Sequence, residues 1–241
     1  MKILIVLFLF SSILFAQQSQ IIRQQNVLFI QKIIESEEKI ARNFEKYLLE
    51  NFTIPTMAEL KVNEYLGENF SLDNRFGSDL AFKNSLNLQL TYAITSEKDA
   101  NDYKNLLYNR DLYRENTVVY LEKNSSNEIN YTNSYTEILL QSNEAKTILE
   151  ILKSGNSIES SCTDTLINKY CNQNQSAIRW YNSSSQWIEY NKEGFDKASV
   201  TISTTSLLLD SRLSVLPIGT YIYLNNGSQY VKLKDSILKV D

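Results

Sequence analysis

Between Asn26 and Glu50 the apolar residues Ile30, Ile33, Ile34, Ile40, Ala41, Phe44, Tyr47 and Leu48 recur at helical spacing. The stretch predicts a long amphipathic helix with one buried stripe. Its opposite face carries Glu35, Glu38, Lys39, Arg42, Glu45 and Lys46, and two of the pairs, Glu35 with Lys39 and Glu38 with Arg42, have the four-residue spacing that supports an exposed surface. Glu37 interrupts the inner seam where a strict heptad wants an apolar residue, so the pattern predicts packing on a sheet rather than a coiled coil. Ile54-Pro55-Thr56 closes the region, because the residue before proline is pushed away from helical angles.

Ahead of this helix, Lys2 and the apolar run Ile3 to Phe15, ending at Ala16 and followed by Gln17-Gln18-Ser19-Gln20, have the organisation of an export signal. At about 13 residues the run is far shorter than the roughly 20 that a membrane-spanning helix needs. The expectation is cleavage after Ala16, with an uncleaved N-terminal anchor as the alternative, since Leu14 is larger than the residue a signal peptidase favours three positions before its cut. No Cys follows the run, which argues against a lipoprotein. The mature chain would hold about 225 residues, enough for one large or two small domains, without a transmembrane segment, and would be periplasmic, on the cell surface or secreted.

The net charge is -4 and the Lys and Arg residues are scattered, so no basic patch offers itself to a nucleic-acid backbone or an anionic membrane surface. Cys162 and Cys171 stand nine positions apart, and in an oxidising compartment they predict one short-range disulfide. Nine residues of continuous helix rise about 13.5 Å, beyond disulfide reach, so the bond requires Thr163 to Tyr170 to turn back on itself.

After a loop closing on Asn74-Arg75-Phe76-Gly77, the alternation of Leu86, Leu88, Leu90, Tyr92 and Ile94 with Asn87, Gln89, Thr91 and Ala93 predicts a half-buried strand. Ser96 and Asp99 resemble a capping box opening a short helix through Leu106 and Leu107. Val118 to Lys123 reads as the next strand, turning at Asn124-Ser125-Ser126. Ser142 is placed to cap a helix carrying Ala145, Ile148, Leu149 and Leu152 on one face, with Gly155 at its end.

From Ala177 onward the pattern is strand, and it repeats. Ala177 to Tyr190 aligns without a gap on Thr220 to Leu233, with Asn182 over Asn225, Gln186 over Gln229 and Trp187 over Tyr230. Each segment predicts a β-hairpin, the second turning at Asn226-Gly227 with positive φ angles in a two-residue loop, and Trp180 with Trp187 or Tyr223 with Tyr230 as cross-strand contacts. Ser199 to Thr205 alternates between them, so the region reads as a small antiparallel sheet module. Trp180, Trp187, Tyr190, Tyr223 and Tyr230 form a candidate contact surface for a glycan or peptide, since flat rings stack on sugar faces; strands also use such residues simply to pack and pair.

The chain contains no histidine, which removes Ser-His and Cys-His nucleophiles, histidine proton shuttles and histidine-ligated zinc. No phosphate-binding or dinucleotide motif occurs. Ser36-Glu-Glu-Lys39 and Ser236-Ile-Leu-Lys239 have the Ser-x-x-Lys spacing of penicillin-recognising enzymes, but about one or two such matches arise by chance in a chain of this composition and neither has its companion motifs. A carboxylate-dependent hydrolase is an alternative for which nothing singles out a pair among the 28 acidic residues. The expectation is a non-enzyme with no catalytic, cofactor-binding or metal-binding residues.

The long helix ending in Lys46-Tyr47-Leu48-Leu49, then Ile54-Pro55-Thr56-Met57, Leu60, Tyr65-Leu66, Asn69-Phe70-Ser71 and Asn74-Arg75-Phe76-Gly77 before a strand, resembles type IVb and shufflon-type conjugative pilins over about residues 26–94. Two features of that family are missing: the Gly-aromatic-Thr-Leu-Ile-Glu processing site and the apolar half of the pilin helix. The resemblance implies an exported pilin-like protein that acts as a structural or adhesive component of a surface appendage, with a protein partner there. The expected organisation is a signal peptide (1–16), a pilin-like α+β domain with its helix packed on an antiparallel sheet (17–153), a disulfide-bearing linker (154–175) and an antiparallel hairpin module (176–241). A soluble periplasmic binding module using the aromatic hairpins is the other reading.

Overall fold

In a computed structural model, which describes residues 2–62, 64–72, 79–92, 94, 96–111, 116–130, 132–163, 166–173, 177–181, 186–191, 199–216 and 218–240, the chain is an α+β protein. It forms two compact units, one of Met1–Ile40 with Phe70–Leu139 and one of Ala41–Asn69 with Leu140–Asp241. The Asn74-Arg75-Phe76-Gly77 loop, Ala93 and the Asn182 to Ser185 turn of the first hairpin lie outside the described residues.

Helix α1 runs Lys2–Asn51, well beyond the Asn26 start that periodicity predicts. In the first unit its residues Ile30, Ile33, Ile34, Glu37 and Ile40 are buried. The same unit holds helix α3 (Glu97–Asp111) and an antiparallel sheet of β1 (Phe82–Asn84), β2 (Gln89–Thr91), β3 (Thr117–Tyr120) and β4 (Tyr135–Ile138), in the order β1-β2-β4-β3. Glu37 is fully buried and receives hydrogen bonds from Tyr103 of α3 at 2.5 Å and from Thr136 Oγ1 of β4 at 3.0 Å. The break in the apolar seam is thus the point where the helix is tied to the sheet and to its neighbouring helix. Glu38, expected on the solvent face, is buried instead. The helix lies deeper than its apolar stripe alone requires.

The strand expected over Leu86 to Ile94 is a hairpin. Residues 85–88 form the turn, Leu88 takes a left-handed φ of 61°, and only Gln89–Thr91 pair with β1 and β4. Asn84 drives this locally: its Oδ1 accepts the Asn87 N–H at 3.0 Å, the side-chain turn that asparagine favours. Leu90, Tyr92 and Ile94 are buried as the alternation predicts, whereas Leu86 is exposed. The Ser96 cap is present, with the Asp99 N–H donating to Ser96 Oγ at 3.1 Å, but its helix extends to Asp111. Strand β3 ends at Tyr120, three residues short of its expected Lys123 limit, and the 124–126 turn holds.

In the second unit α1 ends at Asn51, and Phe52 follows at φ 57° with its ring buried. The short helix α2 (Met57–Leu60) starts from a capping box between Thr56 and Glu59. Helix α4 (Asn143–Lys153) is capped by Ser142, whose side chain accepts the Ala145 N–H, and Gly155 takes φ 80° just past its end. Ala145, Ile148, Leu149 and Ile151 are its buried apolar residues; Leu152 is half-buried.

The unit's sheet has eight strands: β5 (Ile158–Glu159), β6 (Tyr170–Gln173), β7 (Ala177–Tyr181), β8 (Trp187–Asn191), β9 (Ser199–Ile202), β10 (Tyr221–Leu224), β11 (Gln229–Lys232) and β12 (Ile237–Val240). They lie in sequence order across the sheet, and each repeated segment is a hairpin, β7-β8 and β10-β11. The expectation of a purely antiparallel module is corrected twice. β9 pairs with β10 in parallel, which demands a crossover, supplied by two 3-10 turns at Thr205–Leu209 and Ser211–Val215. β5 also pairs in parallel with β6, so residues of the expected linker contribute two strands. Cys162, which follows β5, and Cys171 of β6 form the disulfide, with Cα atoms 5.0 Å apart, so the chain turns back as required.

The second hairpin turn also differs from expectation. Gly227 alone of the Asn226-Gly227 pair takes positive φ, at 89°, and its N–H donates to Leu224 O while the Leu224 N–H donates to Ser228 O. The loop therefore has three residues closed by a glycine in the left-handed region, the next most common hairpin solution.

Candidate functional site

Pairing register decides which aromatic residues share a face. Trp180 stands opposite Ile188 and Tyr181 opposite Trp187; Tyr223 stands opposite Gln229 and Ile222 opposite Tyr230. Because side chains alternate along each strand, Trp180 and Trp187 point to opposite faces, as do Tyr223 and Tyr230. The expected cross-strand aromatic contacts are not made, and the candidate surface divides into three sets.

The first set belongs to the core. Trp180 is 2% exposed and Tyr190 4%, on a face shared with Tyr170, Ile178, Ile188, Val200, Ile202, Ile222 and Leu224. Arg212, from the second 3-10 turn, lies over the Trp180 ring and forms an ion pair with Asp210, and its carbonyl accepts the Tyr190 hydroxyl at 3.4 Å. Burial pushes the phenols of Tyr170 and Tyr190 above their ordinary range, Tyr190 well above it. For Asp210, burial opposes ionisation, but the hydrogen bonds from Arg212 outweigh it and hold the carboxyl below its usual value. These residues fix the crossover onto the sheet.

The second set forms the outer face. Trp187 and Tyr223 are half-buried, joined by Tyr221, Thr201, Arg179 and Glu189. The Tyr221 and Tyr223 rings, two residues apart on one strand, lie 6.3 Å apart with an interplanar angle of 20°. They form one stacked, half-buried aromatic pair. Arg179 packs over the Trp187 ring at 5.2 Å and forms an ion pair with its cross-strand partner Glu189. Such a face can stack on a planar apolar surface while amide, hydroxyl and charged groups beside the rings hydrogen-bond its edges. Tyr221 was absent from the expected set, although the alternation that selects Tyr223 also selects the residue two positions earlier.

The third set is Tyr230 alone, on the inner face near the sheet edge, where it lines a cleft beside the crossover.

No group of three or more Cys, Asp or Glu side chains able to hold a metal ion occurs among the described residues, and no helix among them is long and apolar enough to cross a membrane. No protein family, curated protein or solved structure matches the chain.

Proposed function

We propose that this protein is an exported, non-enzymatic surface component that adheres to a glycan through the outer face of its eight-stranded sheet. The observation that carries the reading is the Tyr221–Tyr223 stack, two near-parallel, half-buried rings on one strand, with Thr201 and Gln229 as the cross-strand neighbours of Tyr223. Flat rings offer a sugar's apolar face the contact area it needs, and the adjacent hydroxyl and amide groups meet its hydroxyls. The disulfide is consistent with an oxidising compartment, as an exported protein requires.

The test is binding of the purified chain to an array of cell-wall and extracellular polysaccharides, compared with Tyr221→Ala and Tyr223→Ala. The reading expects a glycan signal that each variant weakens about tenfold with the fold intact. Binding to peptides alone, or glycan binding that both variants retain, would overturn it.

Association with a pilus is favoured by a separate observation. Ile21, Ile22 and Leu28 of α1 are exposed apolar side chains, on a stretch whose residues 17–25 are exposed on every side. Fractionation of the native host tests it: recovery with sheared surface filaments supports the assembly, and recovery from periplasm alone sinks it.

A further inference from the structure

The crossover between β9 and β10 leaves a cleft of about 520 Å³ on the inner side of the sheet, within the second unit. One wall is Leu209 and Leu213 of the 3-10 turns; the other is Tyr230 and Lys232 of β11 with Ile237 of β12. Two side chains in it need an explanation. Leu209 is 93% exposed, a leucine held in solvent at the mouth of a cavity. Lys232 is only 9% exposed although it carries an ammonium group.

The ammonium donates to the carbonyls of Leu233 at 2.7 Å and Lys234 at 3.2 Å, which staples the turn between β11 and β12. Those two bonds leave one of its three donors, and carbonyl dipoles do not neutralise its charge. Among the described residues no carboxylate forms an ion pair with it. Asp210, which also lines the cleft, is already paired with Arg212, and Asp235 is an exposed residue at the rim. A buried cation without a counter-charge is costly unless an anion completes it.

We infer that this cleft binds a small organic monocarboxylate with an apolar body. The carboxylate meets the remaining Lys232 donor, and the apolar chain lies against Leu209, Leu213 and Ile237 with the Tyr230 ring beside it. Asp235, an exposed carboxylate of the same cleft, disfavours a second negative charge, so a dicarboxylate binds more weakly than a monocarboxylate. The site is separate from the outer aromatic face, since Tyr230 and Lys232 point to the opposite side of the sheet from Tyr223.

Calorimetric titration of the full chain with octanoate, octan-1-ol and suberate tests the inference. Octanoate should bind about tenfold or more tighter than octan-1-ol, the worth of one charge-assisted hydrogen bond, and suberate more weakly than octanoate. Lys232→Met, which keeps the aliphatic stem, should remove the preference for the acid. Leu209→Ser should weaken both monofunctional ligands while leaving the melting temperature unchanged, because Leu209 packs on almost nothing. If Lys232→Met fails to fold, the acid-to-alcohol ratio and Leu209→Ser decide the matter. Equal binding of octanoate and octan-1-ol, no binding of octanoate, or unchanged octanoate binding by Leu209→Ser overturns the site.

Discussion

The phenol of Tyr103 donates a 2.5 Å hydrogen bond to Glu37 Oε2 in the interior of the first unit, where Thr136 supplies a 3.0 Å bond to the other carboxyl oxygen. The three groups come from α3, α1 and β4, so one carboxyl ties together helix, helix and sheet. Glu37→Ala leaves two buried hydroxyls without this acceptor and should cost about 2 to 4 kcal/mol, while Tyr103→Phe, which removes one donor, should cost about 1 to 3. Urea unfolding of the single and double variants checks this. Because the residues are in direct contact, the double variant should be less destabilised than the sum of the singles.

Trp180 and Trp187 differ by seven positions and by their whole environment. Trp180→Ala should cost about 3 to 5 kcal/mol, since it empties the space under Arg212 in the core. Trp187→Ala should cost about 1 kcal/mol or less in thermal unfolding, because its ring is half-exposed and its principal partner is the Arg179 guanidinium. Equal losses for the two would mean that the outer face is packed rather than open.

The contrast marks what sequence pattern can and cannot carry. Helical periodicity identified Ile30, Ile34, Ile40, Phe44 and Leu48 as buried because a helix's faces follow from its own repeat. It misplaced Glu38, whose burial is set by what packs around the helix. In the hairpins, alternation located the strands, but the face of each ring relative to its neighbour depends on pairing register, and register depends on loop length. One residue more or less in the turn sends Trp187 to the other side. The parallel pairing of β9 with β10 was out of reach for a related reason: its partner is reached only through the crossover, and no local preference announces it. At Leu86 to Leu88, side-chain capture of the backbone by Asn84 overrode a clean alternation.

Asp210 gives the stability of the crossover a defined acid limb. A carboxyl held below its ordinary value adds stability above the unfolded value of about 3.9 and gives it up as pH falls through the lower folded value. Asp210→Asn can keep the hydrogen bond from the Arg212 N–H but loses the charge. The variant should be less stable than the parent by about 1 kcal/mol above pH ~5, a figure discounted for partial exposure of the pair, and the difference should shrink as pH falls through the lowered folded value. Denaturant unfolding from pH 2.5 to 7 measures it.

Replacing Cys162 and Cys171 by serine should cost about 2 to 3 kcal/mol, since the bond closes a short loop between β5 and β6. The same loss should follow reduction of the parent protein, and the serine variant should be insensitive to reductant. A parent melting temperature that reductant leaves unchanged would show that the pairing of β6 with β7 already holds this edge of the sheet.

Glu45 belongs to the face of α1 expected to be merely solvated, yet its two carboxyl oxygens accept the backbone N–H groups of Gln141 at 2.8 Å and Ser142 at 2.7 Å. Ser142 in turn caps α4, so a carboxylate stands at that helix's positive end and fixes the chain entering it. Charge and hydrogen bonding both contribute, and two substitutions separate them. Glu45→Gln keeps one acceptor and loses the charge, and should cost about 0.5 to 1 kcal/mol; Glu45→Ala removes both acceptors and should cost about 1 to 2. Amide hydrogen exchange resolves the effect, with faster exchange at Gln141, Ser142 and the first turn of α4 in Glu45→Ala. Unchanged exchange there would mean that Ser142 alone holds the helix start, and that Glu45 is the solvated charge its position in the sequence suggests.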